Sequence, residues 1–225
     1  MAGPHARFAE IARKPDENFE SVSRAIATFA GAPKAESVEE LLCHLQGLAR
    51  GKALIKQATM WKNPSAGRVS KLSETRGKQW RLVISVSGLE IMIKSLLGKN
   101  HPGIQEFQIL EDRIGLDVQP LPASELSKKV REKWIEDKSI MQFLVVRNHD
   151  LKILTRFLVN GESGPIEGLA RQLALAKAIR NCTVLAALSA TKCNELKLKP
   201  ALEVLPGLIH ETSEGIFEVL CRHLQ

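Results

Sequence analysis

The spacing of hydrophobic residues along the chain predicts helices rather than strands. Phe19, Val22, Ile26 and Phe29 recur every three or four residues, and the run stops at Gly31. Such spacing places four side chains on one face of a helix, and glycine is common just after a helix end. The sequence has no pair of alternating runs joined by a tight turn, which would indicate a β-hairpin. The predicted fold class is therefore all-α.

A second helix is predicted to begin after Ser37. Ser37 and Glu40 have the spacing of a capping box, in which both side chains bind backbone N–H groups at the helix start. Four leucines follow at helical spacing, namely Leu41, Leu42, Leu45 and Leu48. The two helices are predicted to form an N-terminal helical hairpin.

The stretch from residue 51 to residue 77 is basic and only weakly periodic. Two interpretations stay open for it. It is either a mobile basic segment that contacts phosphate, with Lys62 and Arg68 among its cations, or a solvated linker and helix surface.

Residues 79–97 are strongly apolar and form a run too long for a usual strand, so a helix that ends at Gly98 is predicted. Gly88 would let another helix approach this one closely. Residues 98–103 predict a loop. Later helices are predicted after Ser124, over residues 139–160, over about 165–188 and over about 200–223, where Pro206 favours a bend.

These patterns divide the chain into two predicted units. Residues 1–74 comprise the helical hairpin and the basic connecting segment, and residues 75–225 comprise a helical bundle.

The composition favours an anionic partner such as RNA. The chain of 225 residues has a net charge of +7 and a pI near 9.3, and clustered Lys and Arg release counterions when they meet phosphate. Because tyrosine is absent, a surface that stacks bases would use Phe, Trp, His or Arg. No apolar run reaches the roughly 20 residues of a membrane span, and the first residues do not resemble a secretory signal. A cytoplasmic protein without membrane contact is expected.

Motif spacing argues against metal and nucleotide sites. Cys43, Cys182, Cys193 and Cys221 form no C-x-x-C pair and are interpreted as reduced thiols, although Cys182 and Cys193 are near enough in sequence to approach each other. No cluster of His and carboxylates has the spacing of metal ligands, and residues 161–168 lack the Gly-Lys-Ser/Thr ending of a Walker loop. Neither a metal nor a cofactor is expected.

Arg180 and Asn181 lie inside an otherwise apolar predicted helix, AKAIRNCTVLAALSATK, residues 176–192. Burial of an unpaired guanidinium is strongly unfavourable. Arg180 is therefore expected to face a carboxylate, a cleft or another subunit. Glu90, the acidic residue of the earlier apolar helix, is the expected structural partner.

Two stretches of the chain resemble the HEPN superfamily of RNA-directed proteins. IRNCTVLAALSATK, residues 179–192, is similar to the family motif, in which Arg and a polar residue precede His by four to six positions, often as R-N-x-x-x-H-G. WRLVISVSGLEIMIKSLLG, residues 80–98, is similar to the preceding family helix, which runs from a Trp into a Gly and an acidic residue. The resemblance covers residues 75–220 and implies an HEPN-like helical bundle.

In that family, two protomers usually face each other, and their Arg and His side chains form one composite, metal-independent ribonuclease site. The His moves protons between the 2′-hydroxyl and the leaving oxygen, while the Arg holds the scissile phosphate. Arg180 and Asn181 match the motif, but Leu185 stands at the His position and Ala186 at the Gly position. Leucine cannot transfer a proton, so the usual catalytic pair is broken.

His149, which follows Arg147 and Asn148, is the candidate replacement base if its helix runs antiparallel to the Arg180 helix. A surface or helix-packing histidine is the competing interpretation. The candidate RNA contacts are Arg180, Lys177, Arg147, Lys62 and Arg68.

Three functions stay open. The resemblance implies an RNA-directed protein of a prokaryotic defence or toxin-antitoxin system, either a weakened endoribonuclease or a non-cleaving relative that binds RNA or a partner. Its partner would be a second copy or a protein of the same system. The charge also fits a non-enzymatic basic helical subunit that lines the nucleic-acid channel of a larger RNA-guided complex. The third function is a helical protein-interaction module with incidental positive charge.

Overall fold

The computed structural model describes residues 3–61, 70–122, 153–154, 165–185 and 188–224. Within these ranges the regular structure is helical apart from one isolated β-bridge, which confirms the predicted all-α class. The helices described are α1 (Pro4–Ala12), α2 (Phe19–Ala30), α3 (Val38–Met60), α4 (Lys71–Leu97), α5 (Ile104–Ile114), α6 (Leu169–Val184), α7 (Ala190–Glu195) and α8 (Lys199–Arg222).

The ends of the first long helices follow the local sequence as predicted. Gly31 ends α2 with a φ of 64°, and Gly98 ends α4 with a φ of 68°, a left-handed conformation that glycine adopts without a steric penalty. At the start of α3, the Ser37 hydroxyl accepts a hydrogen bond from the Glu40 N–H at 3.2 Å. The Glu40 carboxylate accepts from the Glu36 N–H at 2.7 Å rather than from Ser37 itself.

Two glycines bring α3 and α4 into close contact. A Cβ atom added to Gly51 would lie 2.4 Å from the Gly88 carbonyl oxygen and 2.4 Å from Met92 Cγ. A Cβ atom added to Gly88 would lie 2.6 Å from the Gly51 carbonyl oxygen. These distances are too short for any side chain, so the predicted close approach at Gly88 is confirmed.

The described parts of the basic stretch of residues 51–77 are helical. Residues 51–60 continue α3, and residues 71–77 begin α4, which agrees with the helix portion of the linker-and-helix-surface interpretation; neither part is a mobile segment or a linker. Gly51, Ile55 and Ala58 are buried and extend the inner face of α3. The intervening residues 62–69, which include Lys62 and Arg68, lie outside the described residues.

Lys52 explains why the periodicity is weak. Its side chain is only 6% exposed, donates a hydrogen bond to Ser213 Oγ at 2.9 Å, and forms an ion pair with Glu214 of α8. A buried cation at a core position interrupts the hydrophobic pattern without ending the helix, because a carboxylate and a hydroxyl satisfy its charge.

The pattern of the sequence misses three helices and overestimates one. It does not predict α1, α5 or α7, which are 9, 11 and 6 residues long. The helix predicted over residues 165–188 is observed only over Leu169–Val184. The last helix, predicted over 200–223, is observed over Lys199–Arg222 with Pro206 inside it.

Contacts at its N-terminus fix the start of α6. Leu121 and Ile166 exchange two backbone hydrogen bonds, of 3.0 and 2.8 Å, as an isolated antiparallel bridge. The Glu111 carboxylate of α5 then accepts from the Leu169 N–H at 2.6 Å. A carboxylate at a helix N-terminus is favourable because the first N–H groups lack partners within the helix and carry partial positive charge.

The C-terminal helix α8 is the centre of the described fold. It packs against α1, α2, α3, α4, α5 and α6, and one hydrophobic core cluster extends from Phe8 of α1 to Cys221 of α8. The division into units at residue 74 stays a prediction. In the part of the chain that the structure describes, no helix is both long and apolar enough to cross a membrane.

Candidate functional site

Arg180 and Asn181 emerge near the end of a largely buried helix. The face of α6 that packs inward includes Leu173, Ala176 and Ile179, all at most 1% exposed. Arg180 and Asn181 are only partly buried, and Arg180 lies on the side of α6 that meets α4. The apolar face therefore anchors α6 in the core and holds the two polar residues at the surface.

Glu90 of α4 pairs with two cations of α6. One of its oxygens lies 3.2 Å from Arg180 Nη2, and the other lies 3.5 Å from Lys177 Nζ. The side chains of Lys177, Glu90 and Arg180 are 13%, 16% and 27% exposed. The expected pair between Arg180 and Glu90 is thus confirmed. Two cations share one carboxylate, so these three side chains carry a net positive charge.

Further hydrogen bonds orient the guanidinium. Arg180 Nη1 donates to Asn181 Oδ1 at 2.7 Å, and Nη2 lies 3.4 Å from the Ser87 hydroxyl of α4. The buried Nε atom has no acceptor among the described residues. The Lys177 ammonium also donates to the carbonyl oxygen of Pro102, which ties the loop after α4 to this site. We call Ser87, Glu90, Lys177, Arg180 and Asn181 the Arg180 cluster.

Leu185 stands where the resembled family has its histidine. It is the C-terminal cap residue of α6, and its side chain is 44% exposed, next to Val184 at 48%. Exposed apolar side chains at this end of α6 offer no acid or base. Within the Arg180 cluster, the one carboxylate, that of Glu90, already pairs with two cations.

Four of the candidate residues fall in the parts of the chain that the structure does not describe. His149, Arg147, Lys62 and Arg68 all lie outside the described residues, so their predicted roles stay predictions. Of the predicted RNA contacts, the structure brings Arg180 and Lys177 together through Glu90.

Ser87 belongs to the Arg180 cluster and the carbonyl of Pro102 contacts it, but neither is among the candidates predicted from the sequence. Ser87 precedes Glu90 by three residues, a spacing that places both on one helical face. That signal was present in the sequence. The contact of Pro102 with Lys177 depends on the path of a loop, for which the sequence carries no comparable signal.

The cysteines do not add chemistry to the site. All four are free thiols, and Cys182, Cys193 and Cys221 are buried. Burial, together with the nearby Cys182, raises the pKa of Cys193 to about 12. A thiol in that environment stays protonated and is a poor nucleophile. Over the described ranges, no group of three or more His, Cys, Asp or Glu side chains is arranged to hold a metal ion.

Comparison with known proteins identifies no relative of this chain. No protein-family model matches the sequence, and neither a curated protein nor a solved structure is significantly similar to it.

Proposed function

We propose that this protein is an HEPN-like RNA-directed protein that binds RNA at the Arg180 cluster without the family's usual acid-base cleavage. The observation that carries the proposal is the arrangement of Arg180 and Lys177 on one carboxylate at a partly exposed surface. A phosphate that approaches Arg180 meets a planar donor group already oriented by Ser87 and Asn181. Such pre-orientation favours recognition of a phosphate over nonspecific attraction.

Glu90 has two effects in this proposal. It holds the guanidinium and the ammonium in place, and it competes with phosphate for the same N–H donors. Phosphate can bind beside the carboxylate, because the single charge of Glu90 does not neutralise the two cations that share this carboxylate. Loss of the Glu90 charge should therefore strengthen RNA binding while it weakens the protein, since two cations would then lie close together without a counter-charge.

The absence of a proton-transfer group at Leu185 favours binding over cleavage. Cleavage through the 2′-hydroxyl needs a base within hydrogen-bond reach of that group. His149 stays a predicted replacement base, and the cleavage assay that tests Leu185 also tests His149.

The binding test measures fluorescence anisotropy of a labelled single-stranded RNA with the full chain, without divalent metal, at low and moderate salt. Arg180→Gln is expected to weaken binding about fivefold to tenfold and to reduce the salt slope by about 1, because one phosphate contact is lost. Glu90→Gln is expected to strengthen binding. Arg24→Gln is the matched control, since Arg24 is an exposed cation of α2 paired with Glu20. Equal losses in Arg180→Gln and Arg24→Gln, or no binding by the native chain, would refute the proposal.

A cleavage assay on the same RNA tests whether Leu185, at the position of the family's histidine, is the reason that the chain does not cleave. The native chain is expected to leave the RNA intact, and Leu185→His is expected to produce metal-independent cleavage that Arg180→Gln abolishes. Cleavage by the native chain that His149→Ala removes would show instead that His149 had replaced the missing base.

The exposed apolar pair Val184 and Leu185 favours a protein partner as a second feature of this function. The resemblance implies that this partner is a second copy or a protein of the same defence system. Light scattering after size exclusion distinguishes the alternatives. A dimer that Leu185→Asp dissociates would support an HEPN-like assembly, whereas a monomer that binds long RNA with a steep salt slope would support the basic subunit of an RNA-guided complex.

A further inference from the structure

One face of α4 carries a row of exposed or partly exposed side chains beside the Arg180 cluster. At a helical repeat of 3.6 residues, six positions fall within an arc of about 80°. None of the six is buried, and Trp80 is 46% exposed. We call this row the α4 stripe, and its members are Arg76, Trp80, Ile84, Ser87, Ile91 and Lys94.

The stripe passes directly by Arg180. Arg180 Nη2 lies 3.4 Å from the hydroxyl of Ser87, so the guanidinium sits near the middle of the row. Trp80 precedes Ser87 by two helical turns, about 10 Å along the axis, and Arg76 lies about one turn further. An exposed indole therefore stands between two cationic groups.

The ends of the stripe are also cationic. Arg76 and Lys94 are exposed and have no ion-pair partner among the described residues. The carboxylate of Glu90, three residues after Ser87 on the same helix, already pairs with Arg180 and Lys177. An anionic strand would thus meet positive charge at both ends and at the centre, with an aromatic ring between two of these points.

We propose that the α4 stripe is a track for single-stranded RNA, in which a base stacks on Trp80 while neighbouring phosphates bind Arg180 and Arg76. This inference rests on the proposed function and names its substrate class as an unpaired strand. Stacking requires an exposed base face, which a single strand presents and a duplex does not. The track of about 27 Å from Arg76 to Lys94 is long enough for several nucleotides.

The charge distribution favours RNA over a second copy as the occupant of the stripe. Antiparallel packing of the stripe on itself around a two-fold axis would bring the cation at one end against the cation at the other end of the second copy. Like charges in such a contact are unfavourable. The polyanionic backbone of RNA meets the same cations favourably.

The first test compares the affinity of the full chain for a single-stranded RNA in three variants. Trp80→Ala is expected to weaken binding about tenfold, the range of loss for one base stacked on an aromatic ring. Trp80→Phe keeps a ring and should stay within about threefold of the native affinity. Val204→Ala removes a similarly exposed apolar side chain from α8, at 48% exposure, and serves as the control. Circular dichroism verifies that each variant is folded.

The second test measures the fluorescence of the Trp80 indole. A chain with Trp61→Phe and Trp134→Phe retains Trp80 as its one tryptophan, because the sequence contains three. Single-stranded RNA should quench its fluorescence over the concentrations at which anisotropy reports binding, whereas a duplex of equal length should quench it far less.

The outcomes separate this inference from the proposed function. If Trp80→Ala binds RNA as tightly as the native chain while Arg180→Gln still weakens binding, the track is wrong and the Arg180 cluster stands. If Trp80→Ala dissociates a dimer and leaves RNA affinity unchanged, the stripe is a protein interface and the inference is overturned. If the native chain binds no RNA, both proposals fail.

Discussion

Two charged residues that lie in apolar surroundings, Arg180 and Lys52, are explained by their partners. A guanidinium in an apolar helix requires a counter-charge, which Glu90 provides at 3.2 Å. Lys52 follows the same rule deeper in the core, where its ammonium donates a hydrogen bond to Ser213 and pairs with the Glu214 carboxylate. The need for a partner is predicted from the sequence for Arg180 alone, because the stretch around Lys52 is basic and weakly periodic and does not indicate burial. For Lys52, the partner lies 162 residues away, and no local pattern identifies it.

His5 makes stability depend on pH. Its ring packs edge-on against Phe217 with centroids 4.8 Å apart, and burial, followed by the positive charge of Lys52, lowers its pKa below 6.5. Lys56 acts in the same direction, while Glu214 opposes them. The unfolded chain therefore takes up a proton at a higher pH than the folded chain does. Stability that neutral His5 contributes is complete above about pH 6.5 and declines as the pH falls below that value.

The variant His5→Phe tests this linkage, because it keeps an aromatic ring against Phe217 but cannot bind a proton. Urea unfolding at about pH 7.5 and about pH 5.5 should show a smaller loss of unfolding free energy on acidification for His5→Phe than for the native chain. Equal losses would mean that His5 contributes nothing to the pH dependence.

At the scale of helices, the ends are easier to predict than the faces. Gly31, Ser37 and Gly98 mark helix ends through interactions with neighbours in sequence, so the local sequence is enough to predict these ends. The continuation of α3 through residues 51–60 depends instead on α4 and α8, which bury that face. Propensity and periodicity are weak there, and tertiary packing decides the outcome.

The contact between α3 and α4 predicts that alanine is harmful at two glycines. Gly51→Ala and Gly88→Ala place Cβ within 2.4 and 2.6 Å of a backbone carbonyl oxygen on the opposite helix. The helices must separate, so each variant should lose about 1–3 kcal/mol of unfolding free energy despite the better helix propensity of alanine. Thermal or urea unfolding measures the loss.

Gly207 provides the matched control for this prediction. It also lies inside a helix, α8, but a Cβ there would meet nothing within 4 Å. Gly207→Ala is expected to stabilise the protein by about 0.5–1 kcal/mol. A similar loss in all three alanine variants would contradict the steric explanation.

At the scale of the whole molecule, α8 connects the two ends of the chain. The ion pair between Lys52 and Glu214 links it to α3, and the ring of Phe217 contacts Phe8 and His5 of α1. The N-terminal helices thus complete a core that the C-terminal helix organises.

The buried ion pair can be tested by removal of one charge. Lys52→Met keeps the length of the side chain but leaves Glu214 without its cation, and should cost about 2 kcal/mol of unfolding free energy; the loss is moderated because the Glu214 side chain is 33% exposed. The double variant Lys52→Met with Glu214→Gln should lose less. Lys34→Met is the control, since its pair with Glu20 is 46% and 59% exposed, and should change stability by no more than about 0.5 kcal/mol. Equal losses in Lys52→Met and Lys34→Met would disprove a special role for the buried pair.

The sequence alone determined the helical class, the main helix ends and the need of Arg180 for a polar partner, because these follow from periodicity, capping and the cost of an unpaired charge. The tertiary structure decided which residues share a surface. Ser87, Trp80 and Arg180 lie on two helices about 90 residues apart, and their proximity depends on how α6 packs against α4. Helix packing is set by side-chain shape across the whole core, and this information cannot be read from either helix by itself.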